Sequence, residues 1–315
     1  MKIVDSAHGG DGWIERRDSH IEELGSLWAQ CGVKSETHPL KHVLLHRPGK
    51  EIEDLKDTKK ILWTNVMNPE KARDQHDNLA NIYSSMGIKI TYMDNNKNDG
   101  KLYPNLLYVR DLFTMFEQGA IISRLASDAR AGEERLIAAT LTQQGIPIIA
   151  TAHGEMCLEG PDILIVNKHL VFLGIGIRTN LQGVLFVKTI LENQGYEEVK
   201  IIQTTYGCGH LDGVVNIINK KYAAIIPQRA SYELYATLKK HGFSIVDLTD
   251  TNEADELMSI NFVSLNEEEL VVNKGAKDAL SKYRSCGMNV IEVDVSELLK
   301  GGGSVHCMTG IISRF

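Results

Sequence analysis

The sequence predicts an α/β protein in which five ββαβ units close into one pseudo-symmetric disc, a five-bladed propeller around a central site. Three observations predict it. Short apolar segments recur in the order strand, strand, helix, strand. The last strands of successive units begin at Ile88, Ile146, Val199, Ser244 and Asn289, spacings of 58, 53, 45 and 45 residues. Polar clusters able to do chemistry fall at corresponding edges of different units. Periods of this size belong to radial or solenoidal arrays, in which each unit buries its apolar face against its neighbours.

Each element follows from local pattern. The first unit reads as a strand over 41–46, a helix over 71–86 that opens after Pro69, and a strand over 88–93 after Gly87. In the second, strands over 106–116 and 120–123 precede a polar-to-apolar helix over 133–143 and a strand over 146–150 after Gly145. The third has strands over 163–166 and 170–173 around an Asn-Lys-His turn, a helix near 181–194 and a strand over 199–203. The fourth pairs 214–218 with 223–226 around Asn219-Lys220-Lys221, then a helix over 231–240 and a strand over 244–248. The fifth pairs 261–265 with 269–272 around a glutamate run, then a helix over 276–286 and a strand over 289–293. Residues 1–38 lie outside the pattern as an N-terminal extension, either a lid or packing, with Gly9-Gly10-Asp11-Gly12 suggesting mobility. No Pro/Gly/Ser-rich linker divides 39–315, which reads as one domain.

Composition narrows the function classes. At 315 residues, with 43% hydrophobic and 24% charged residues, the chain is long enough to bury a large core. Lys and Arg number 34 against 41 Asp and Glu, so the net charge is −7, and no basic run offers a footprint for a phosphate backbone. Nucleic acid is not an expected partner. The longest apolar runs, such as Ala223-Ala224-Ile225-Ile226, fall far short of the roughly 18 residues that span a bilayer, and Met1-Lys2-Ile3-Val4 runs into Asp5 with no signal-like stretch. A cytoplasmic protein with no membrane partner is expected. Cys31, Cys157, Cys208, Cys286 and Cys307 include no CxxC pair, which argues against a disulfide framework or structural zinc. A homodimer is the default expectation for assembly.

Four clusters carry the chemistry: Pro104-Asn105 to Arg110-Asp111, Glu159-Gly160-Pro161-Asp162, Gly209-His210-Leu211-Asp212, and Gly301-Gly302-Gly303 through His306-Cys307. Read as a strand, His210 and Asp212 share a face, because side chains alternate with period two. The glycines before Cys307 allow a close backbone approach that suits a thiol at the floor of a pocket. A thiol, an imidazole and several carboxylates form a set for nucleophilic attack on a cationic carbon. Singly, each piece has a plainer reading: Cys307 as a small buried hydrophobe, His210 as a core residue, Glu-Gly-Pro-Asp as a turn, Arg110-Asp111 as an ion pair. Their joint placement at unit edges favours a site. His-x-Asp with a cysteine lacks the paired spacing of structural zinc, so no metal is expected.

These letters resemble the guanidine-modifying superfamily of amidinotransferases, arginine deiminases and dimethylarginine hydrolases. The resemblance runs from about Leu40, through Leu40–Gly49 (LKHVLLHRPG) and His76-Asp77, and the four clusters occur in the family's order. Pro104-Asn105 to Arg110-Asp111, Gly174-Ile175-Gly176-Ile177-Arg178-Thr179 and His210-Leu211-Asp212 look most like arginine deiminases. The resemblance implies a pentein fold, with Cys307 as nucleophile, His210 as general acid/base and Glu159 as the carboxylate orienting it. Asp111 and Asp212 would clamp the guanidinium. Asn105 and Arg178 would hold the amino-acid end, and Asp162, closing the acidic turn, would also bind the substrate. No metal or organic cofactor is implied. The implied reaction is deimination of arginine to citrulline and ammonia through a covalent thiouronium. An arginine dihydrolase, an amidinotransferase or a dimethylarginine hydrolase would use the same residue set.

Several positions depart from the deiminase pattern. Pro161 replaces a glycine of the acidic turn, Gly302 stands where those enzymes often carry an arginine, and their helical insertion is missing. Dimethylarginine hydrolases match the size better but typically have His-x-Lys at His210-Leu211-Asp212, so arginine is the expected substrate. A non-catalytic propeller of the ribosome anti-association type is the reading from another class, and it has no use for Cys307, His210 and the acids together.

Overall fold

The computed structural model describes residues 9–55, 57–93 and 102–315, so residues 1–8 of the expected N-terminal extension lie outside the described part. Five small sheets make up the molecule. Four follow the predicted unit: β4 (Phe113–Phe116), β5 (Gly119–Ile122), α2 (Glu133–Gln143) and β6 (Ile148–Thr151); β7 (Ile163–Asn167), β8 (Leu170–Ile175), α3 (Leu181–Asn193) and β9 (Glu198–Gln203); β10 (Val215–Ile217), β11 (Tyr222–Ile225), α4 (Tyr232–Lys240) and β12 (Ser244–Asp247); and β13 (Val263–Ser264), β14 (Glu269–Asn273), α6 (Lys277–Ser285) and β15 (Asn289–Val293). In each, the first two strands pair antiparallel and the third, reached through the helix, adds parallel to the second. A short helix, α5 (Thr251–Glu256), precedes β13 and was not expected from the pattern.

The remaining sheet closes the ring and differs from the sequence reading. Its helix α1 (Pro69–Ser85) and strands β2 (Leu40–Leu45) and β3 (Lys89–Tyr92) come from the first unit, but its missing first strand is β16 (Gly310–Arg314), from the end of the chain. Ile311 pairs with Val43 and Gly310 with Leu44, so the C-terminus locks the first blade. Outside β16 lies β1 (Gly32–Val33), parallel to Ser313 and Arg314, so part of the N-terminal extension joins the sheet as packing.

The helices form because apolar residues recur at helical spacing and the ends are capped. Buried Leu79 and Tyr83 of α1, Ile137 and Leu141 of α2, Val184, Val187 and Leu191 of α3, and Leu234 and Leu238 of α4 face the sheets. The side chains of Asn68, Asn180 and Ser231 accept from the first-turn amides of Lys71, Gly183 and Leu234. Each blade helix stops before a glycine of positive φ (Gly87, Gly145, Gly195, Gly242 and Gly287), the left-handed residue that ends a helix and turns the chain into the outer strand.

Two local expectations are corrected. Residues 106–116 are not one strand: Val109–Leu112 is a 3₁₀ turn, and only Phe113–Phe116 is extended. Likewise Leu211–Gly213 is a 3₁₀ turn, so His210 and Asp212 do not share a strand face. Both corrections matter at the centre of the disc. The first strands begin there and run outward, each preceded within a few residues by a buried polar group: Asp111, Asp162, Asp212, Asn261, and Cys307 before β16. Among the described residues, no helix is long and apolar enough to cross a membrane.

Candidate active site

Cys307 sits in the turn between the glycine triplet and β16, nearly enclosed. The triplet is required by packing. A Cβ on Gly301 would lie 2.1 Å from the Tyr108 hydroxyl, and one on Gly303 would lie 2.4 Å from the Tyr108 ring. Tyr108 is itself pinned by donating to the Leu298 carbonyl at 2.8 Å. The amide of Arg110 donates to the Cys307 carbonyl at 3.0 Å, tying the Cys307 turn to the turn that carries Asp111.

Asn261 grips this turn from below. Its Oδ1 accepts from the amides of His306 (3.0 Å) and Cys307 (3.3 Å), and its Nδ2 donates to Cys307 Sγ at 3.2 Å and to Asp212 Oδ2 at 3.3 Å. Asp212 Oδ2 also accepts from His306 Nδ1 at 2.8 Å. Burial disfavours the Asp212 carboxylate, but His306 outweighs this and holds it below the usual range. The Cys307 thiol is pushed well up by burial and then by the charges of Asp212 and Asp111.

His210 faces the other way. Its Nε2 donates to Glu159 Oε2 at 2.7 Å. Glu159 is fully buried, and also accepts from the Ala126 amide at 3.0 Å and from Arg178 Nη1 at 3.1 Å. Burial opposes a charged imidazole, yet the Glu159 hydrogen bond and the charges of Asp111, Glu159 and Asp162 raise His210 to about 9. Glu159 is opposed by burial and held at about 2, chiefly by its bond to His210.

Asp111 is ion-paired with Arg130, a buried guanidinium that also donates to Glu133 through Nε (2.9 Å) and Nη2 (2.8 Å). Asn105 accepts from Trp63 Nε1 at 2.7 Å and donates to the Ile61 carbonyl at 2.8 Å, fixing the 61–63 loop at the mouth. Two cavities meet at Cys307 and His210. One, about 120 Å³, is lined by Asn105, Asp111, Arg130 and Arg178; the other, about 240 Å³, by Asp212, Asn261, Arg229 and Met258. Ligand atoms of Asp111, Glu159 and His210 lie within 4.8 Å of one another, a donor set that could hold a divalent cation. The same convergence of acids suits a guanidinium, whose N–H fork meets carboxylates bidentately.

A family profile described as N,N dimethylarginine dimethylhydrolase, eukaryotic, matches residues 56–314. The chain belongs to this family. It is 23% identical over 276 residues to the dimethylarginine dimethylaminohydrolase of Pseudomonas aeruginosa, covering 85% of this chain and 98% of that protein. It is 22% identical to the arginine deiminase of Oenococcus oeni (90% and 97% covered), and 26% identical to the uncharacterized YkgA of Bacillus subtilis (88% and 93%). Among solved structures, the Pseudomonas aeruginosa dimethylarginine dimethylaminohydrolase complexed with citrulline superposes with TM-score 0.72 at 21% identity, covering 88% of this chain and all of that one. SxtG, an amidinotransferase of Microseira wollei in saxitoxin biosynthesis, gives 0.75 at 16% identity, covering 90% and 97%. The dimethylarginine dimethylhydrolase family thus places this chain among cysteine-dependent guanidine-modifying enzymes with the pentein fold.

Within this family member, seven of the eight expected site residues converge: Cys307, His210, Asp111, Asn105 and Arg178 line the smaller cavity, Asp212 lines the larger, and Glu159 lies behind His210. Asp162 does not line either cavity. Its Oδ1 accepts from the Leu211 amide at 2.9 Å, holding the turn after His210, and burial raises its carboxyl to about 6. Arg178, expected to await a carboxylate, here pairs with Glu159. Pro161 falls within the first turn of a 3₁₀ segment, Gly160–Asp162, where its fixed φ is tolerated. Sequence reasoning missed Asn261, Arg130, Glu133 and the partnership of His306 with Asp212.

Proposed function

We propose that this protein hydrolyses the guanidinium group of L-arginine to citrulline and ammonia through a covalent intermediate on Cys307. The observation that carries the reading is the convergence on one thiol of two carboxylates, Asp111 and Asp212, and an imidazole held charged by Glu159. The guanidinium is clamped by Asp111 and Asp212, and the amino-acid end lies towards Asn105, Arg130 and Arg178. The resting thiol is kept protonated by burial and by the two acids. A bound cation reverses that balance: the thiol proton passes to solvent, His210 being already protonated, and the thiolate is left where it can attack.

Sγ then bonds to the guanidinium carbon. The His210 imidazolium protonates the departing nitrogen as the C–N bond breaks, leaving a thiouronium and a neutral imidazole. That imidazole takes a proton from water as its oxygen attacks the same carbon. The C–S bond breaks as the adduct's hydroxyl proton passes to sulfur, which releases citrulline and returns Cys307 and His210 to their starting states, while the departed ammonia takes up the proton lost to solvent. Asp162 supports the turn that presents His210.

A second reading, hydrolysis of dimethylarginine to citrulline and dimethylamine, is favoured by the family profile and by the larger cavity beyond Cys307. Product analysis separates the readings. The protein and a Cys307→Ala control are incubated with arginine, with dimethylarginine, and with arginine plus glycine. Citrulline and ammonia from arginine support the proposal. Dimethylamine only from dimethylarginine selects the second reading; ornithine with ammonia and CO2 means a dihydrolase, and ornithine formed only with glycine means an amidinotransferase. Turnover by the control overturns the nucleophile assignment.

A further inference from the structure

We infer that the N-terminal segment acts on the nucleophile from the opposite end of the disc, with Glu36 as a positioning residue that fixes His306, Asp212 and the Cys307 turn. The inference rests on the roles proposed above for Asp212 and Cys307.

The first strands of the blades start at the site and end in turns on the far side, among them Glu117-Gln118 after β4 and Asn266-Glu267 after β13. Residues 32–37 run across these turns. Gly32–Val33 pair with the outer end of β16, Lys34 lies 3.5 Å from Glu117, and Thr37 Oγ1 donates to Glu267 at 2.7 Å. The amide of Glu36 donates to the Ile165 carbonyl at 2.9 Å.

This arrangement turns the Glu36 side chain inward, where it is only 3% exposed. Its Oε1 accepts from Arg110 Nη2 at 2.9 Å, and its Oε2 lies 4.0 Å from His306 Nε2. The other ring nitrogen of His306 donates to Asp212, and the Arg110 backbone holds the Cys307 carbonyl. Two routes therefore lead from Glu36 to the thiol. Arg314, also buried, faces Glu36, while its Nη1 donates to the carbonyls of His38 and Ser264. A carboxylate buried beside two arginines and an imidazole is costly to desolvate, and removing it leaves uncompensated charge beneath the site. Glu36 precedes the residues that the family profile matches.

The charged and titratable groups facing Asp212 are His306, His210, Arg110 and the thiols of Cys307 and Cys208; those facing Glu36 are Arg110, His306 and Arg314. Without the Glu36 charge, His306 is held from one side only. The Asp212 carboxyl then loses an ordered partner and titrates higher. The acidic limb of kcat/KM moves to higher pH, whereas a purely structural loss lowers activity at every pH without moving the limb.

The test measures kcat, KM and the pH profile of citrulline formation for wild type, Glu36→Gln, His306→Asn and His306→Gln, with thermal melts alongside. Asn at 306 can place a donor near the Nδ1 position, towards Asp212, and Gln near the Nε2 position, towards Glu36, so each keeps half of the relay. The expected result is at least a tenfold fall in kcat with KM within about twofold for Glu36→Gln and both His306 variants, and an upward shift of the acidic limb. Wild-type kcat in His306→Asn, or an unmoved limb in a folded Glu36→Gln, overturns the inference. Should Glu36→Gln fail to fold, the His306 pair decides alone. If the wild type turns over no guanidino substrate, it is the proposed function that has failed; an active wild type with indifferent variants removes only the role of Glu36.

Discussion

Replacing Glu159 by Gln isolates the charge that sets the protonation of His210. An ordinary histidine titrates near 6.5, and this one is raised to about 9, a difference worth roughly 3 kcal/mol in favour of the imidazolium. Burial works against that form, so the gain comes from the 2.7 Å bond to Glu159 and the surrounding carboxylates. Gln keeps the shape and loses the charge, so the ring titrates lower, towards 6.5, with only Asp111 and Asp162 left to oppose burial. In the proposed mechanism kcat needs the imidazolium to protonate the leaving nitrogen, so wild-type kcat should be lost as pH rises through about 9. In Glu159→Gln that loss moves well below 9; at the ordinary value of 6.5 only about a tenth of the ring is charged at pH 7.5, so kcat there falls by about tenfold. Stability follows the same sign: the contribution of a raised imidazole is fully present below its ordinary value and is lost as pH rises through about 9, so the wild-type advantage in Tm over the variant shrinks across that window. The assay is kcat against pH, with the His210 imidazole titrated by NMR. An imidazole still titrating near 9 in the variant, or an unmoved basic limb, refutes the reasoning.

Other predictions follow from single contacts. Because burial, Asp212 and Asp111 all push the Cys307 thiol up, its alkylation by iodoacetamide in the free protein should be slow at pH 7 and still rising beyond pH 10; a plateau near pH 7 would show a resting thiolate instead. Asn261→Leu removes the donor to Sγ and the acceptor for two nucleophile-turn amides, so kcat should fall about 10- to 100-fold with little change in KM, and an unchanged kcat would deny Asn261 this role. His76 is fully buried, neither ring nitrogen has a hydrogen-bond partner among the described residues, and burial lowers it to about 4. The unfolded chain takes up this proton below about 6.5 while the native state resists it, so stability falls from that pH down through about 4, by about 2 kcal/mol at pH 5. His76→Leu should remove this acid sensitivity, and urea melts at pH 5 and 8 that stay equally separated in the variant would contradict it.

What the sequence revealed was whatever repeats or has a chemically distinctive letter. Strands flanking short turns, and helices ending at Gly87 and Gly145, are local patterns, and four of the five sheets came out as read. The strand Gly310–Arg314 was missed because its partner, Leu40–Leu45, lies at the other end of the chain, and nothing local announces so distant a pairing. The turn Leu211–Gly213 was misread because alternation alone cannot tell an extended His-x-Asp from a 3₁₀ turn. Arg130 looks like a polar loop residue, and only the fold brings it to Asp111. Asn261 was legible in principle. It precedes the first strand of its blade as Asp111, Asp162 and Asp212 precede theirs, but an amide was not sought where acids were.

That exception explains much of the chemistry. Pseudo-symmetry brings one polar residue per blade to the axis, and an acid in every blade would place a fourth carboxylate beside Asp111, Asp162 and Asp212. Like charges so close cannot all remain ionised. Asn261 donates to both Asp212 and Sγ, a hydrogen bond that favours the thiolate where another aspartate would oppose it. Asp162 is turned away to hold the Leu211 amide, Asp111 is ion-paired with Arg130, and Asp212 accepts from His306. Each acid at the centre thus has a resident cation or donor, and in the proposed function a substrate guanidinium competes with Arg130 for Asp111. Arg130 also holds Glu133, and release from Asp111 leaves that pairing intact. In that proposal Arg130 yields Asp111 while keeping its bonds to Glu133, which couples clamp occupancy to masking of the acid that, after Asp212, most opposes thiolate formation.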